Sequence, residues 1–233
     1  MIDCYSNLRG ETPLKGGRMT AGVVRVGRTV RRPANANSDF IRRLLGHLAA
    51  KGFDGAPLPL GADESGREVF SYIEGNVPAE LGIFDDDALS AAAALIRRFH
   101  DLAVDLVTND AETVCHNDLS PCNFVFRDGL PVAIIDFDAA APGTRAHDLG
   151  YAAWLWLDFG SPAVSPSEQN RRLRLFIASY GDLYISAVLD AMIHRQAGLA
   201  EEGRRTGNTA MAEWAAACLE WTRRYEAELT NGL

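Results

Sequence analysis

The chain has little lysine. Its 233 residues include two, Lys15 and Lys51, and together with arginine they give 23 basic side chains against 31 acidic ones, a formal net charge of -8. A protein that grips nucleic acid through its phosphates shows a basic surplus, so no nucleic-acid partner is expected. Cysteine is also scarce. Cys4, Cys115, Cys122 and Cys218 form no zinc-like CxxC pair and are too few to staple a domain of this length. No run approaches the roughly 18 apolar residues of a membrane span, and the opening MIDCYSNLRGETPLKGG has no apolar signal core. These absences predict a cytoplasmic protein with reduced thiols and no membrane partner.

What is present is globular. Hydrophobic residues make up 47% and charged ones 23%, enough for one large domain or two small ones sharing a cleft. Up to about residue 76, Gly-punctuated β-branched runs such as GVVRVGRTVRRP and REVFSYIEG read as short strands, interrupted by one helical pattern, SDFIRRLLGHLAAKG. From about residue 85, long helical stretches dominate, and β signal returns only at NFVF and VAIIDF, joined by RDGLP, where Asp128-Gly129 supplies a hairpin turn. The pattern predicts an α+β architecture: a β-rich first lobe over residues 1–76, a larger helical lobe over 77–233, and a cleft between them. Charge divides along nearly the same line. Residues 1–78 carry 11 Lys/Arg and 8 Asp/Glu, whereas residues 79–233 carry 12 and 23. An anion is better received by the first lobe and a cation by the second.

The densest chemistry lies in CHNDLSPCNFVFRDGLPVAIIDFD, Cys115 to Asp138. Carboxylates and an amide at the ends of apolar runs need partners, because unpaired buried charge is costly. Asp118 and Asn123 share a loop, and a hairpin returning from Asn123 brings Asp136 back beside it. One amide oxygen and one carboxylate then face a common point, a hard-oxygen site suited to Mg²⁺ completed by substrate phosphates. Asp118 remains free to accept a hydroxyl proton, the division of labour of kinase-type phosphoryl transfer. A metal-dependent phosphohydrolase built on His116 and Asp118 lacks the further His ligands it needs.

The order HxDxxxxN, hairpin, then a strand ending in IDFD resembles the aminoglycoside phosphotransferase and choline kinase-like families, relatives of the protein kinases. The likeness runs from about Leu14 to Gly181. It implies a bilobal protein kinase-like fold and transfer of the γ-phosphate of ATP or GTP to a hydroxyl of a small molecule, with Mg²⁺ as cofactor. Asp118 would then be the catalytic base, Asn123 and Asp136 the metal ligands, and Asp138 either a second metal contact or a local cap. His116 would orient the loop, and Asp148 would receive backbone N–H groups of the catalytic loop. Gly16, Gly17 and Gly22 in LKGGRMTAGVVRV would cover the phosphates, and the backbone near Ser71, Tyr72 and Ile73 would meet the purine edge. The acidic second lobe, with Asp158, Glu168, Asp182 and Asp190, favours a cationic, amino-bearing acceptor.

Two departures from those families stand out. Neither lysine lies in the strand where kinases keep their phosphate-binding Lys, and TVRRP offers Arg31 or, one register step away, Arg32. Family placement favours Arg31, with Arg32 exposed. The helix that should carry the partner Glu has none. Those losses keep an inactive pseudokinase or nucleotide-binding regulatory module as the alternative to an active enzyme.

Overall fold

The computed structural model describes residues 10–14, 22–108 and 110–231. The first lobe is a five-stranded antiparallel sheet of β1 (Glu11–Pro13), β2 (Val24–Val26), β3 (Thr29–Arg32), β4 (Pro59–Ala62) and β5 (Glu68–Ser71), in the order β1-β2-β3-β5-β4. Between β3 and β4 runs α1 (Ser38–Ala50), whose Ile41, Leu44, Leu45 and Leu48 recur at helical spacing and are buried.

The helical part comprises α2 (Asp86–Ala103), α3 (Arg145–Trp156), α4 (Pro166–Tyr180), α5 (Ile185–Thr206) and α6 (Thr209–Asn231). Side-chain caps mark three starts: Asp85 accepts from the Ala88 N–H, Thr144 from His147 and Ser165 from Glu168. Buried residues on α2, including Leu89, Ala92, Ile96, Phe99 and Ala103, form a continuous inward stripe. The end of α3 is buried all round, from Ala152 through Trp156, so it forms the centre of the lobe. No single described helix is long and apolar enough to cross a membrane.

Two small two-stranded units complete the core of this lobe. One pairs β6 (Thr113–Cys115) with β9 (Ala141–Gly143), and the other is the hairpin of β7 (Phe124–Arg127) and β8 (Leu130–Ile134). At the tip of that hairpin Asp128 and Gly129 have φ of 51° and 83°. Both are positive, as a two-residue type I′ turn requires. The segment linking the sheet to the helices is bolted to this hairpin by reciprocal backbone bonds between Asn76 and Phe126, 2.9 and 2.7 Å. Gly75 makes that approach possible. A Cβ there would lie 2.5 Å from the Phe126 carbonyl oxygen.

Candidate active site

The loop carrying Asp118 is fixed from below by Asp148. Capped by Thr144, α3 places Asp148 in its first turn, fully buried. Its Oδ2 accepts from the His116 N–H at 2.7 Å and its Oδ1 from the Asn117 N–H at 2.8 Å. His100 supports the same carboxylate through Nε2 at 3.0 Å, and its Nδ1 meets the Tyr180 hydroxyl at 2.8 Å. Burial alone would raise Asp148, but the hydrogen bond to His100 and the backbone N–H of His116 hold it below its ordinary value. The expectation that Asp148 receives loop N–H groups matches this geometry.

His116 is buried and neutral. Burial pushes its pKa below 6.5, and its two bonds fix one tautomer: Nε2–H donates to the Ile135 carbonyl at 3.0 Å, while Nδ1 accepts the Asp118 N–H at 3.3 Å. It ties the loop to the end of the hairpin. From above, the Leu119 carbonyl accepts the Trp156 indole N–H at 3.2 Å.

The hairpin brings Asp136 back as expected. Phe124 pairs with Ile134, and the Ile135 N–H donates to the Asn123 carbonyl at 2.9 Å. Asn123 turns its amide N–H₂ onto Asp118, 2.8 Å to the backbone carbonyl and 2.8 Å to Oδ2. Its amide oxygen is therefore the atom left for a cation. Asp136 sits at φ 64°, ψ 62°, a left-handed conformation that Asp tolerates and that recurs at functional sites. Burial and then the Asp138 carboxylate raise its pKa, with Arg32 countering in part. A carboxylate crowded in this way, next to an amide oxygen, fits a divalent hard cation. Among the described residues no group of three His, Cys, Asp or Glu forms a metal cage, so most of the coordination sphere would come from phosphate and water.

Asn123 and Asp136 line a cavity of about 390 Å³ between the sheet and the hairpin, in the size range of small-ligand sites. Val23 and Val30 contribute from the sheet, Val125 and Ile135 from the hairpin, and Ser71, Tyr72 and Ile73 from the linking segment. The N–H groups of Ser71 and Tyr72 are already committed, to the Leu58 and Arg28 carbonyls at 2.9 Å each, so neither is free for a base edge. Gly22 has φ 84°, as a strand-turn-strand cover needs; Gly16 and Gly17 lie outside the described residues.

The arginine assignment is corrected. Arg32, not Arg31, lines the cavity, and it is buried rather than exposed. Along β3 the inward phase is set by Val30, which packs into the cavity wall and carries Arg32 with it two residues on. Arg31 points to the other face, 3.3 Å from Asp63. Arg32 stands opposite Glu68 on β5 and bonds it through Nε at 3.2 Å, while Nη1 bonds Asp138. Glu68 thus gives Arg32 a carboxylate partner from the neighbouring strand. Asp138 is held there by the arginine, and its backbone carbonyl accepts the Asn37 amide at 3.1 Å. Arg32 Nη2 and Glu68 Oε1 are buried without a hydrogen-bond partner among the described residues.

Further groups at the site were not anticipated. Tyr151 donates its hydroxyl to Asp118 Oδ1 at 3.1 Å, and Arg195 lies over the Tyr151 ring, 4.3 Å from its centroid. Tyr151 follows Asp148 by three residues on one helix, so the same face that holds the loop was its signal. Arg195, His100 and Glu68 left no local signal. Of the acidic residues expected to receive an acceptor, Glu168 is paired with Arg171 at 2.6 Å and Asp182 with Arg97 at 3.6 Å.

Comparison with known proteins bears on the fold and on residues 85–176. The trifolitoxin immunity protein of Rhizobium leguminosarum bv. trifolii is 29% identical over 234 residues, covering 87% of this chain and 88% of its own. The GDP complex of aminoglycoside 2'-phosphotransferase-IIIa superposes with a TM-score of 0.57 at 15% identity, over 93% of each chain. The choline kinase LicA of Streptococcus pneumoniae does so with 0.55 at 13% identity, over 90% of this chain and 94% of its own. The protein thus has the kinase-like fold of the aminoglycoside phosphotransferases and choline kinases, and its residues 85–176, which hold Asp118, Asn123, Asp136 and Asp148, match the phosphotransferase enzyme family.

Proposed function

We propose that the protein is a small-molecule kinase that transfers the γ-phosphoryl group of ATP or GTP to a hydroxyl of a small acceptor. The observation that carries this reading is the convergence of Asn123, Asp136 and Arg32 on one cavity, with Asp118 bonded to Asn123 at its edge. Residues 1–76 would hold the nucleotide, and residues 77–233 would supply the base and the acceptor side. Mg²⁺ bound by Asn123 and Asp136 would neutralise charge on the phosphates. Asp118 orients the acceptor hydroxyl and takes its proton as the acceptor oxygen bonds to the γ-phosphorus. The bond from that phosphorus to the bridging oxygen breaks, and the nucleoside diphosphate leaves. With the Ser71 and Tyr72 N–H groups committed, the purine edge falls to Ile73 and to backbone carbonyls. An amino-bearing acceptor is supported by the acidic balance of residues 79–233 alone, and the use of a nucleoside triphosphate suits the cytoplasm.

A second reading comes from the immunity-protein relative. The chain would then protect a cell from a toxin, either by phosphorylating a toxin hydroxyl or as a nucleotide-binding module that transfers nothing. A nucleotide-consumption screen against a library of hydroxyl compounds and toxins separates these, with Asp118→Asn as control. Turnover should fall on the order of 10²- to 10⁴-fold in the variant while nucleotide binding persists. Equal turnover in Asp118→Asn removes Asp118 from the chemistry, and nucleotide binding without transfer to any compound favours the inactive module.

A further inference from the structure

The catalytic loop is gripped on a side that the kinase motif does not describe. Asp118 has two carboxylate oxygens with separate partners. Oδ2 takes the Asn123 amide at 2.8 Å, on the metal side, and Oδ1 takes the Tyr151 hydroxyl at 3.1 Å. A carboxylate oxygen accepts two hydrogen bonds, so Tyr151 leaves one lone pair of Oδ1 available and fixes which way it points.

Tyr151 is itself held. The Arg195 guanidinium covers its ring, and Arg195 Nη2 donates to the Asn117 carbonyl at 3.0 Å. Asn117 precedes Asp118 and sits at φ 65°, a left-handed conformation that Asn tolerates. Its N–H is held by Asp148 on α3 and its carbonyl by Arg195 on α5. The two helices can grip the two peptide units of one residue because Gly150 lets them touch. A Cβ there would lie 2.8 Å from the Met192 nitrogen and 2.9 Å from the Val188 carbonyl oxygen.

We propose that Tyr151 and Arg195 are positioning residues for phosphoryl transfer: Tyr151 aims the free lone pair of Asp118 Oδ1 at the acceptor hydroxyl, and Arg195 locks Tyr151 and the Asn117 peptide in that pose. The role rests on Asp118 being the base. Neither residue lines the cavity of Asn123, Asp136 and Arg32, so their loss should act on the acceptor half of the reaction. Tyr151→Phe keeps the ring and the Arg195 guanidinium over it, and removes the hydroxyl that bonds Asp118 and also meets Arg195.

The test uses the full-length protein in two measurements. In the first, Tyr151→Phe and Arg195→Met should each lower kcat on the order of 10- to 100-fold with nucleotide KM unchanged, and Arg195→Lys should recover part of the loss. A role in packing alone predicts a silent Tyr151→Phe, and that result overturns the proposal. In the second, amide hydrogen exchange of the 116–119 segment should quicken by about tenfold or more in Arg195→Met, without a matching loss of global stability. Unchanged exchange overturns the grip even if the wild-type protein phosphorylates nothing. Absence of wild-type turnover together with quickened exchange instead rejects the kinase reading and keeps the grip.

Discussion

Replacing Arg32 should damage the protein in two separable ways. Arg32 and Glu68 are buried to 7% and 3% exposure, face each other across β3 and β5, and bond at 3.2 Å. Arg32→Met leaves the Glu68 carboxylate, and Asp138 in part, without their cation; breaking a buried pair from one side costs about 3 to 5 kcal/mol. The same change removes Nη2, the buried donor at the cavity that finds no partner among the described residues. If Nη2 bonds a phosphate oxygen, its loss is worth about 1.5 to 3 kcal/mol, or roughly 10- to 150-fold in nucleotide affinity. The double variant Arg32→Met, Glu68→Met separates the two. It removes the stranded charge and should restore most of the stability to urea, while nucleotide affinity measured by calorimetry stays low. Arg31→Met, which loses a contact of 3.3 Å to Asp63 on the outer face, should leave affinity within about twofold. Wild-type affinity in the double variant would refute the phosphate role of Arg32, and a loss confined to Arg31→Met would reverse the assignment of the strand's faces.

Asp136→Ala should abolish Mg²⁺-stimulated nucleotide binding while the melting transition persists, since Asp136 is repelled by Asp138 and forms no salt bridge among the described residues; metal stimulation equal to wild type would remove it as a ligand. Gly75→Ala forces a Cβ to within 2.5 Å of the Phe126 carbonyl, so the linking segment should shift, with about 1 to 3 kcal/mol lost in urea unfolding and weaker nucleotide binding. His116 is neutral in the folded protein because burial lowers its pKa below 6.5. Below that pH the unfolded chain binds a proton that the folded one does not, so stability should fall with pH at up to about 1.4 kcal/mol per unit. His116→Gln should flatten that slope, measured as urea midpoints between pH 7.5 and 5.5; an unchanged slope would mean that other groups carry it.

Long periodic segments were legible because their pattern is local. The stretch beginning at Asp85 announces both the cap and the buried stripe of α2, and Asp128-Gly129 announces the hairpin tip. The three- or four-residue strands β1, β4, β6 and β9 were not legible. They are too short to alternate, and β6 is a strand only because residues 141–143 return to pair with it. The site divides in the same way. Asp118, Asn123, Asp136 and Asp148 lie in a recognisable order, whereas Glu68 and Arg195 join through contacts 36 and 78 residues apart in sequence. Arg31 was preferred to Arg32 by placement, although Val30 carried the better signal: the apolar phase of a strand faces inward, and its arginine goes with it.

The gathering of charge at the ends of apolar runs can now be followed atom by atom. Asp148 is satisfied by two backbone N–H groups and His100, His116 is neutral with both ring nitrogens bonded, and Asn123 is anchored on Asp118. Asp138 is held by Arg32. After these pairings, two features at the cavity keep an unmet need among the described residues: the carboxyl of Asp136, raised by burial and Asp138 and offset only in part by Arg32, and the unpartnered Nη2 of Arg32. They have opposite needs, one for a cation and one for an anion. A metal–phosphate pair answers both at once, whereas a lone cation or a lone anion answers one. Binding should therefore be synergistic. Nucleotide titrated with and without Mg²⁺ should show affinities differing by more than tenfold, and the difference should shrink in both Asp136→Ala and the Arg32, Glu68 double variant. Equal affinities in the two buffers would mean that the two features do not share one ligand.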